Sequence, residues 1–404
     1  MFIKKNVSTI LFFIIATSSF IIASCGGQDT KKDIGFIENH KKAEQIIYPQ
    51  EAKFDDFARF VAGKEGIKTS IYKNLEALPE WKSYKEELTS LWKKTNEKLP
   101  VIKEWTKNEL GIVNNEGGTL FYPFSGADFL HANLFFPEYD NIVMIALEPI
   151  GNFPDLNKKK ETETIDSYLG DLKNSMNAIL SLSFFRTIAM ADDFQSEMDG
   201  TLHVIFHFMS RTDHTVLYQE RVAILPNGDL TTDLSLIKDT TYIGNRFYFK
   251  ENGEEKVRTL TYFAVNIADN PYVSLGGLEA KGLKTRTDLV NYFNKINIKS
   301  TYLKSASYLM HSSSFSVIRN LILEESEFLL QDDSGIPLQF FDRAKWDLTF
   351  YGTYSEPISL FVERHQEDLK NIYLKKEKNV RPLPFGIGYQ FKKGTSNLML
   401  GCKR

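Results

Sequence analysis

The thirty residues 122–151 hold the densest group of side chains in this sequence that could do chemistry. Ser125, Asp128 and His131 supply a hydroxyl, a carboxylate and an imidazole, from which hydrolases build a nucleophile and its base. On a helix Asp128 and His131 would share a face, because they are three residues apart. Glu148 ends a continuous apolar run, and ligands bind at the carboxyl ends of strands in open α/β sheets. These four residues are therefore the candidate binding or catalytic site.

The same spacing also has a structural explanation that needs no ligand. Ser125 precedes the apolar residues of a short helix, and Asp128 stands three residues later, which is the arrangement of a capping box. A cap stabilises a helix by about 1 kcal/mol. A capping serine directs its oxygen at backbone amides, so a base for Ser125 does not follow from the spacing. The cluster is thus either a site or a helix cap, and the cap is the simpler interpretation.

Histidines at positions 203, 207 and 214 raise the question of a metal site. From Leu202 to Met209 the residues alternate with a period of two, which predicts a strand. At roughly 3.3 Å per residue, His203 and His207 would then stand about 13 Å apart, too far to share one ion. Pairing with His214 across a strand stays open, but no metal site is predicted.

No known catalytic or cofactor motif is complete. Ser125 lacks the first glycine of Gly-x-Ser-x-Gly, and the zinc-protease pattern His-Glu-x-x-His does not occur. The stretch Asp332-Asp333-Ser334-Gly335 carries acids that could bind calcium, but it lacks the acidic twelfth position of a calcium loop. Its composition predicts a hairpin turn. We therefore predict no cofactor and assign no catalytic residue.

The spacing of apolar side chains predicts the elements that position these residues. From about 50 to 110 apolar residues recur three and four apart, which predicts helices that Pro100 divides. The strand Thr119–Tyr122, the short helix after Ser125 and the strand Ile142–Leu147 predict a crossover unit in a mixed sheet. The longest helical pattern covers 161–190.

Antiparallel hairpins and further helices are predicted for the rest of the chain. Strand patterns run over 216–225, 247–250 and 257–265, with Asn252-Gly253 as a hairpin turn. Helices are predicted after Thr285 and over about 315–325. The predicted fold class is therefore α+β, with a helical N-terminal part, then a mixed sheet with antiparallel hairpins and packed helices. Residues 50–404 are predicted to form a single body, in which a sub-boundary would fall near residue 200.

The N-terminus has the features of an export signal. Lys4 and Lys5 precede an uncharged run from Ile10 to Ile22, and this run of 13 residues is too short to span a membrane. It ends in Ile22-Ala23-Ser24-Cys25, where small residues suit a signal peptidase. This arrangement resembles the lipobox of bacterial lipoproteins.

The resemblance to lipoproteins implies a lipid anchor. Residues 1–24 would be a signal peptide, Cys25 would carry acyl chains such as palmitate, and residues 25–49 would be a lipidated polar tether. Each buried CH2 contributes about 0.8 kcal/mol, so several chains hold a protein firmly on a membrane. Gly26 stands where an aspartate retains lipoproteins in the inner membrane. The resemblance therefore implies the outer membrane of a bacterial cell envelope.

Composition narrows the partners of the folded body. The whole chain has 49 Lys+Arg against 52 Asp+Glu, and a net charge of −3 gives no reason to expect nucleic acid. The segment 121–129 resembles uncharacterised exported bacterial proteins, a resemblance that implies no activity. We therefore expect a lipid-anchored envelope protein that binds an envelope or extracellular partner, such as a protein or a glycan. The alternative is a lipid-anchored hydrolase that uses the cluster in residues 122–151.

Overall fold

The fold is given by a computed structural model. It describes residues 48–115, 117–153, 165–182, 200–236, 242–270, 272–273, 279–280, 282–375 and 377–404. The predicted signal peptide, Cys25 and the tether up to residue 47 lie outside the described residues, as do both ends of the helical pattern over 161–190. By their contacts, the residues from Tyr48 to Arg404 group into one compact unit.

Four helices precede the first strand, as the apolar spacing predicts. They are α1 (Ala52–Val61), α2 (Ser70–Glu76), α3 (Pro79–Asn96) and α4 (Leu99–Glu109). Trp81, Tyr84, Leu88 and Trp92 form the buried face of α3. Pro100 lies in the first turn of α4, where its missing N–H removes no helical hydrogen bond. The predicted division between two helices is therefore confirmed.

Eleven of the described strands form one mixed sheet, and two more pair with each other. In chain order the strands are β1 (Thr119–Pro123), β2 (Asn141–Ala146), β3 (His214–Ile224), β4 (Leu230–Thr231), β5 (Ile243–Glu251), β6 (Arg258–Ala264), β7 (Tyr272–Val273), β8 (Glu279–Ala280), β9 (Ile298–Leu303), β10 (Phe328–Gln331), β11 (Trp346–Gly352), β12 (Val380–Arg381) and β13 (Asn397–Lys403). The order across the large sheet is β12-β11-β13-β10-β9-β1-β2-β6-β5-β3-β4, and β7 pairs with β8.

Six further helices pack around the sheet in the described part of the chain. They are α5 (Phe129–Phe135), α6 (Ile165–Leu182), α7 (Leu202–Arg211), α8 (Thr287–Lys295), α9 (Ser316–Glu325) and α10 (Glu367–Leu374). None of the described helices combines the length and the apolar character that crossing a membrane requires.

The centre of the sheet is parallel, and its flanks are mainly antiparallel, although the edge strand β12 pairs parallel with β11. β10, β9, β1, β2 and β6 are neighbours that all run in the same direction. β5 pairs antiparallel with β6 and β3, while β13 pairs antiparallel with β10 and β11. The structure thus has the predicted fold class, α+β with a mixed sheet, and the predicted crossover from β1 through α5 to β2 is confirmed.

The chain leaves the neighbouring strands β1 and β9 in opposite directions. From β1 it passes through α5 to β2 on one side, and from β9 through α9 to β10 on the other. The two helices also cover opposite faces. Phe129 of α5 belongs to the same core cluster as Tyr122, whereas Ile318 of α9 belongs to the second cluster with Phe121. The carboxyl ends of β1 and β9 therefore form a topological switch point, where open α/β sheets bind ligands.

One element was predicted wrongly. Residues 202–209, predicted as a strand, belong to helix α7, and every residue from Leu202 to Ser210 is buried. A helix that is buried on all sides shows no apolar stripe of period 3.6. The alternation of histidines with apolar residues therefore imitated a strand. His203 and His207 are one helical turn apart, which removes the physical reason for separating them by 13 Å.

Candidate functional site

Charged and aromatic side chains meet at the switch point. Asp128 follows β1, Lys304 follows β9 directly, and Asp332 follows β10 directly, so three adjacent parallel strands deliver them to one edge. We call these residues and their neighbours the switch-point cluster, which comprises Tyr122, Asp128, His131, Tyr302, Lys304, Ser305, Tyr308, Asp332 and Asp333.

Asp128 is the hub of one half of the switch-point cluster. The Tyr122 hydroxyl donates to its Oδ2 at 2.9 Å, and the Lys304 ammonium donates to the same oxygen. His131 Nδ1 lies 2.9 Å from Oδ1, and the His131 backbone N–H donates to Oδ1 at 3.2 Å. Asp128 and Lys304 are only 2% and 3% exposed. A buried acid and a buried base are thus held in fixed positions.

The charges in this half of the cluster follow from burial and proximity. Burial alone would raise the pKa of the Asp128 carboxyl, but His131, Lys304 and their hydrogen bonds outweigh burial and hold that pKa well below its usual range. Burial lowers the pKa of His131; Asp128 opposes this shift and Lys304 adds to it. At neutral pH Asp128 is therefore ionised and paired with Lys304, while the imidazole of His131 is neutral.

Asp332 holds the loop that follows β9. Its Oδ2 accepts a hydrogen bond from the Ser305 backbone N–H at 2.8 Å, and its Oδ1 accepts from the Ser334 backbone N–H at 3.0 Å. The predicted turn exists, since the Gly335 N–H donates to the Asp332 carbonyl at 3.1 Å. It is not a hairpin turn, because β10 pairs with β9 and β13 rather than with the next segment. The composition of residues 332–335 indicates a turn, but it does not show that this turn follows a strand in the interior of the sheet.

Asp333 holds a second point of the same loop. The Tyr308 hydroxyl donates to Asp333 Oδ2, and the Asn397 side-chain amide donates to Oδ1 at 2.9 Å. Burial raises the pKa of Asp332, and the neighbouring Asp333 raises it further. Burial also raises the pKa of Asp333 against the bonds from Tyr308 and Asn397. The two adjacent acids therefore keep a proton to a higher pH than exposed aspartates do.

The backbone is strained where β1 and β9 end. Among the described residues, positive φ angles outside glycine occur at Phe124 (60°), Ser305 (53°), Ser307 (50°), Tyr308 (54°), Asp213 (63°) and Asn297 (50°). Asp and Asn tolerate this conformation. The other four residues do not, and each such residue costs about 1–3 kcal/mol. All four lie in the loops that carry the switch-point cluster, which is where such strain persists when a site needs it.

Ser125 lies near the switch-point cluster without bonding to it. Its hydroxyl donates to the backbone carbonyl of Gly126 at 2.8 Å. The predicted capping box is wrong, because α5 begins at Phe129 and Asp128 itself is the N-cap, bonded to the N–H of His131. The structure therefore joins Asp128 to His131 and gives Ser125 a backbone partner.

Glu148 was predicted from the end of the strand next to β1. It is 4% exposed and follows β2, and its backbone carbonyl accepts a hydrogen bond from the Tyr262 hydroxyl at 2.8 Å. The side chains bonded to Asp128 are Tyr122, His131 and Lys304. Of the four candidate residues, the structure thus brings two together and places the other two elsewhere.

The histidines at 203, 207 and 214 pack among aromatic rings. His203 lies 5.5 Å from the Phe57 ring, His207 lies 6.2 Å from Trp92, and His214 lies 5.4 Å from Phe129. In the parts of the chain that the structure describes, no three His, Cys, Asp or Glu side chains are grouped so that they could hold a metal ion. We call these three residues the histidine layer.

Sequence reasoning did not consider Lys304, and it predicted only a hairpin turn for Asp332 and Asp333. The signal that could have found them is the one that selected Glu148, a charged residue directly after an apolar strand. Lys304 follows the strand Ile298–Leu303, and Asp332 follows Phe328–Gln331. Applied to every strand, that rule yields Lys304 and Asp332, and Asp333 is the residue after Asp332.

This chain matches no protein-family model, no curated protein and no solved structure with which it was compared.

Proposed function

We propose that this protein is a lipid-anchored protein of the bacterial cell envelope that acts by binding, and that its ligand occupies the crevice at the switch-point cluster. The observation that supports the site is that three features lie in the same part of the fold. Buried charges, strained backbone and the reversal of chain direction coincide between the carboxyl ends of β1 and β9. The support for the anchor is the lipobox-like sequence that ends at Cys25.

Binding at the cluster can be tested without leaving a buried charge unpaired. The double variant Asp128→Asn/Lys304→Met removes the ion pair as a whole. Wild type and double variant would be heated with neutral sugars, amino acids, polyamines and organic phosphates, one class at a time. We expect one class to raise the melting temperature of the wild type and to leave that of the double variant unchanged. Equal shifts in both proteins, or no shift with any class, would contradict binding at this crevice.

The matched control is a surface pair of the same chemistry. Lys295 and Asp229 form an exposed ion pair at 2.7 Å. The double variant Asp229→Asn/Lys295→Met loses one acid and one lysine, as the test variant does, but away from the switch point. It should respond to each ligand class as the wild type does.

The lipid anchor is tested separately. Cells fed a fatty-acid analogue should label the wild-type chain and not Cys25→Ala. Equal labelling of both chains would contradict the anchor and would leave the binding proposal untouched.

The hydrolase alternative gains no support from the geometry. A serine nucleophile needs its hydroxyl beside a base. The Ser125 hydroxyl instead donates to the Gly126 carbonyl, while His131 Nδ1 faces Asp128 and Lys304. We therefore propose binding alone.

A further inference from the structure

Two strongly exposed apolar side chains lie close together on the connection between β11 and α10. They are Leu360 and Val362, which are 73% and 61% exposed and belong to the short 3-10 helix Ser359–Arg364. Single exposed apolar residues are common on soluble proteins, whereas groups of them mark contact surfaces. This connection therefore offers a candidate interaction surface.

A second segment, just before β13, adds an aromatic ring and two cations to this surface. Phe391 is 37% exposed, and the exposed lysines Lys392 and Lys393 follow it directly. We call Leu360, Val362, Phe391, Lys392 and Lys393 the rim patch.

Contacts between the two segments hold the rim patch together. The ring of Phe361, the residue between the two exposed aliphatic ones, lies 5.6 Å from the Tyr389 ring. The Gln390 side-chain amide donates to the Glu356 carbonyl at 2.9 Å. Residues 356–362 and 389–393 are therefore packed against each other and present one surface.

The rim patch borders the switch-point cluster. The Phe361 ring lies 4.8 Å from the Tyr308 ring, and the Tyr389 hydroxyl donates to the Ser305 carbonyl at 3.0 Å. Both Ser305 and Tyr308 belong to the loop that follows β9. A partner on the rim patch would therefore lie at the same edge of the sheet as the switch-point cluster.

Basic residues outnumber acids around the rim patch. The two segments carry Arg364, Lys392 and Lys393 against Glu356 and Glu363. Glu363 lies 3.4 Å from Arg364, so this acid is paired. Lysines beside exposed apolar side chains suit an anionic lipid surface, because the apolar groups enter the interface while the cations meet the headgroups.

The chain before Tyr48 gives the reason to expect a bilayer as the occupant. Residues 26–47 connect Cys25, the proposed site of acylation, to the folded unit that begins at Tyr48. At about 3.5 Å per residue this segment can span at most roughly 75 Å, and a body of this size has a radius of gyration of about 20 Å. Every face of the body is therefore within reach of the bilayer, and its surface chemistry selects the face in contact.

We propose that the rim patch lies on the lipid bilayer that holds the anchor, with Leu360, Val362 and Phe391 in the headgroup region and Lys392 and Lys393 at anionic headgroups. The choice of occupant rests on the proposed lipid anchor, and the contact is independent of a ligand in the crevice. This orientation turns the switch-point cluster toward the bilayer.

Flotation with lipid vesicles tests the contact without the anchor. The chain from residue 26 onward lacks Cys25 and keeps the whole compact unit. It should bind vesicles of an equal mixture of phosphatidylcholine and phosphatidylglycerol, and bind phosphatidylcholine alone more weakly. Leu360→Ser/Val362→Ser should bind the mixed vesicles at least about tenfold more weakly, because two apolar side chains no longer leave water. Lys392→Gln/Lys393→Gln should lower that affinity about tenfold and leave binding to phosphatidylcholine unchanged.

The matched control is Leu234→Ser/Leu236→Ser. These leucines are also two residues apart on a 3-10 helix and are 46% and 51% exposed, but the exposed Asp233 precedes them. The control should bind the mixed vesicles as the unmodified chain does, because an acid is repelled by anionic headgroups. All these variants should keep the melting temperature of the unmodified chain, since each replaced side chain is exposed.

The proposal is overturned if the unmodified chain binds neither kind of vesicle, or if Leu360→Ser/Val362→Ser binds as tightly as the unmodified chain does. An equal loss of binding in the control would also overturn it, because any exposed apolar pair would then suffice. If ultracentrifugation shows a dimer that Leu360→Ser/Val362→Ser abolishes, and no vesicle is bound, a second copy of the chain covers the patch instead. Fatty-acid labelling at Cys25 is read separately, so a missing anchor contradicts the proposed function without changing the vesicle result.

Discussion

Two regions of this molecule, the switch-point cluster and the histidine layer, hold buried ionisable side chains in different states. In the switch-point cluster Asp128 is ionised and paired with Lys304. In the histidine layer burial lowers the pKa of His207 and of His214 to about 3, and nearby arginines lower both further. At neutral pH the switch-point cluster therefore holds charged side chains, while His207 and His214 in the histidine layer are uncharged.

The surroundings of the two regions also differ, in their packing and in the strain of the backbone. The histidine layer is packed against rings such as Phe57 and Trp92, and its helix has ordinary geometry. The switch-point cluster lies in loops with four strained residues and holds an ion pair between two buried side chains, Asp128 and Lys304. Burial of polar residues is thus no sign of a site by itself. Buried charge and backbone strain in one place are what a ligand would justify.

The largest predicted effect comes from breaking the buried ion pair on one side only. Lys304→Met should destabilise the protein by about 3–5 kcal/mol at pH 7, because the charge of Asp128 stays buried without its partner. The double variant Asp128→Asn/Lys304→Met should recover most of that loss. Chemical denaturation of the three proteins measures both numbers. A loss below about 1 kcal/mol for the single variant would mean that the cluster resembles an exposed ion pair.

The histidine layer should instead make the free energy of unfolding depend on pH. Between pH 6.5 and about 3 the unfolded chain protonates His207 while the folded chain does not, so the free energy of unfolding falls as the pH falls. The slope is up to about 1.4 kcal/mol per pH unit for each such histidine. His207→Gln should reduce the slope between pH 6 and 4 by about that amount, measured by denaturation at several pH values.

Two facts keep this measurement clean. The Asp332–Asp333 pair has a raised pKa and works in the opposite direction, so the slope is compared between variant and wild type. The control His365→Gln removes an exposed histidine beside Glu367 and should change the slope less than His207→Gln does, because exposed charges interact weakly. If the slope of His207→Gln equals that of the wild type, the imidazole of His207 is already charged in the folded chain.

The sequence predicted what depends on neighbours along the chain. The division at Pro100, the crossover from β1 to β2 and the hairpin at Asn252-Gly253 are all marked by local spacing or turn residues. Helix α7 was missed because a helix buried all round has no polar face to show its period. The fold class was therefore accessible, while the best-buried helix was not.

The site was predicted only in its local part. Asp128 and His131 are three residues apart and were found together. Lys304 bonds to Asp128 across 176 residues, through the pairing of β1 with β9. No local pattern indicates which strands become neighbours, so the partner of Asp128 stayed hidden. Ser125 was predicted from its position before a short helix and Glu148 from the end of an apolar strand, and the structure gives both residues backbone hydrogen bonds outside the cluster.

Close packing at the cluster gives a third prediction. Gly388 has φ +66°, and an added Cβ would lie 2.5 Å from Asp332 Oδ2. Gly394 has φ +85° and nothing within 4 Å of such a Cβ. Each alanine substitution should cost about 1–2 kcal/mol for the left-handed backbone. Gly388→Ala should cost more than Gly394→Ala by about a further 1 kcal/mol or more, seen as a lower denaturation midpoint, because Asp332 must move.

The smallest effect tests whether the strain itself belongs to the site. Ser307 is exposed and has φ +50°, and its hydroxyl is hydrogen-bonded to that of Tyr389 at 2.9 Å. Ser307→Gly should stabilise the chain by up to about 0.5 kcal/mol, which is the relief of left-handed strain less the lost exposed hydrogen bond and the added freedom of glycine when unfolded. Asn297→Gly, at the same φ outside the cluster, should bring no gain, since asparagine tolerates this conformation.

The decisive comparison is between stability and affinity in Ser307→Gly. If the strained loop is held in shape for a ligand, glycine should weaken the binding of that ligand while it stabilises the chain. A substitution that only loosens the packing would lower both the stability and the affinity. Opposite signs, from a denaturation curve and a binding titration on the same protein, would therefore separate a preorganised loop from an accident of packing. If Ser307→Gly and Asn297→Gly bind the ligand with equal affinity, the strain at Ser307 does not contribute to binding.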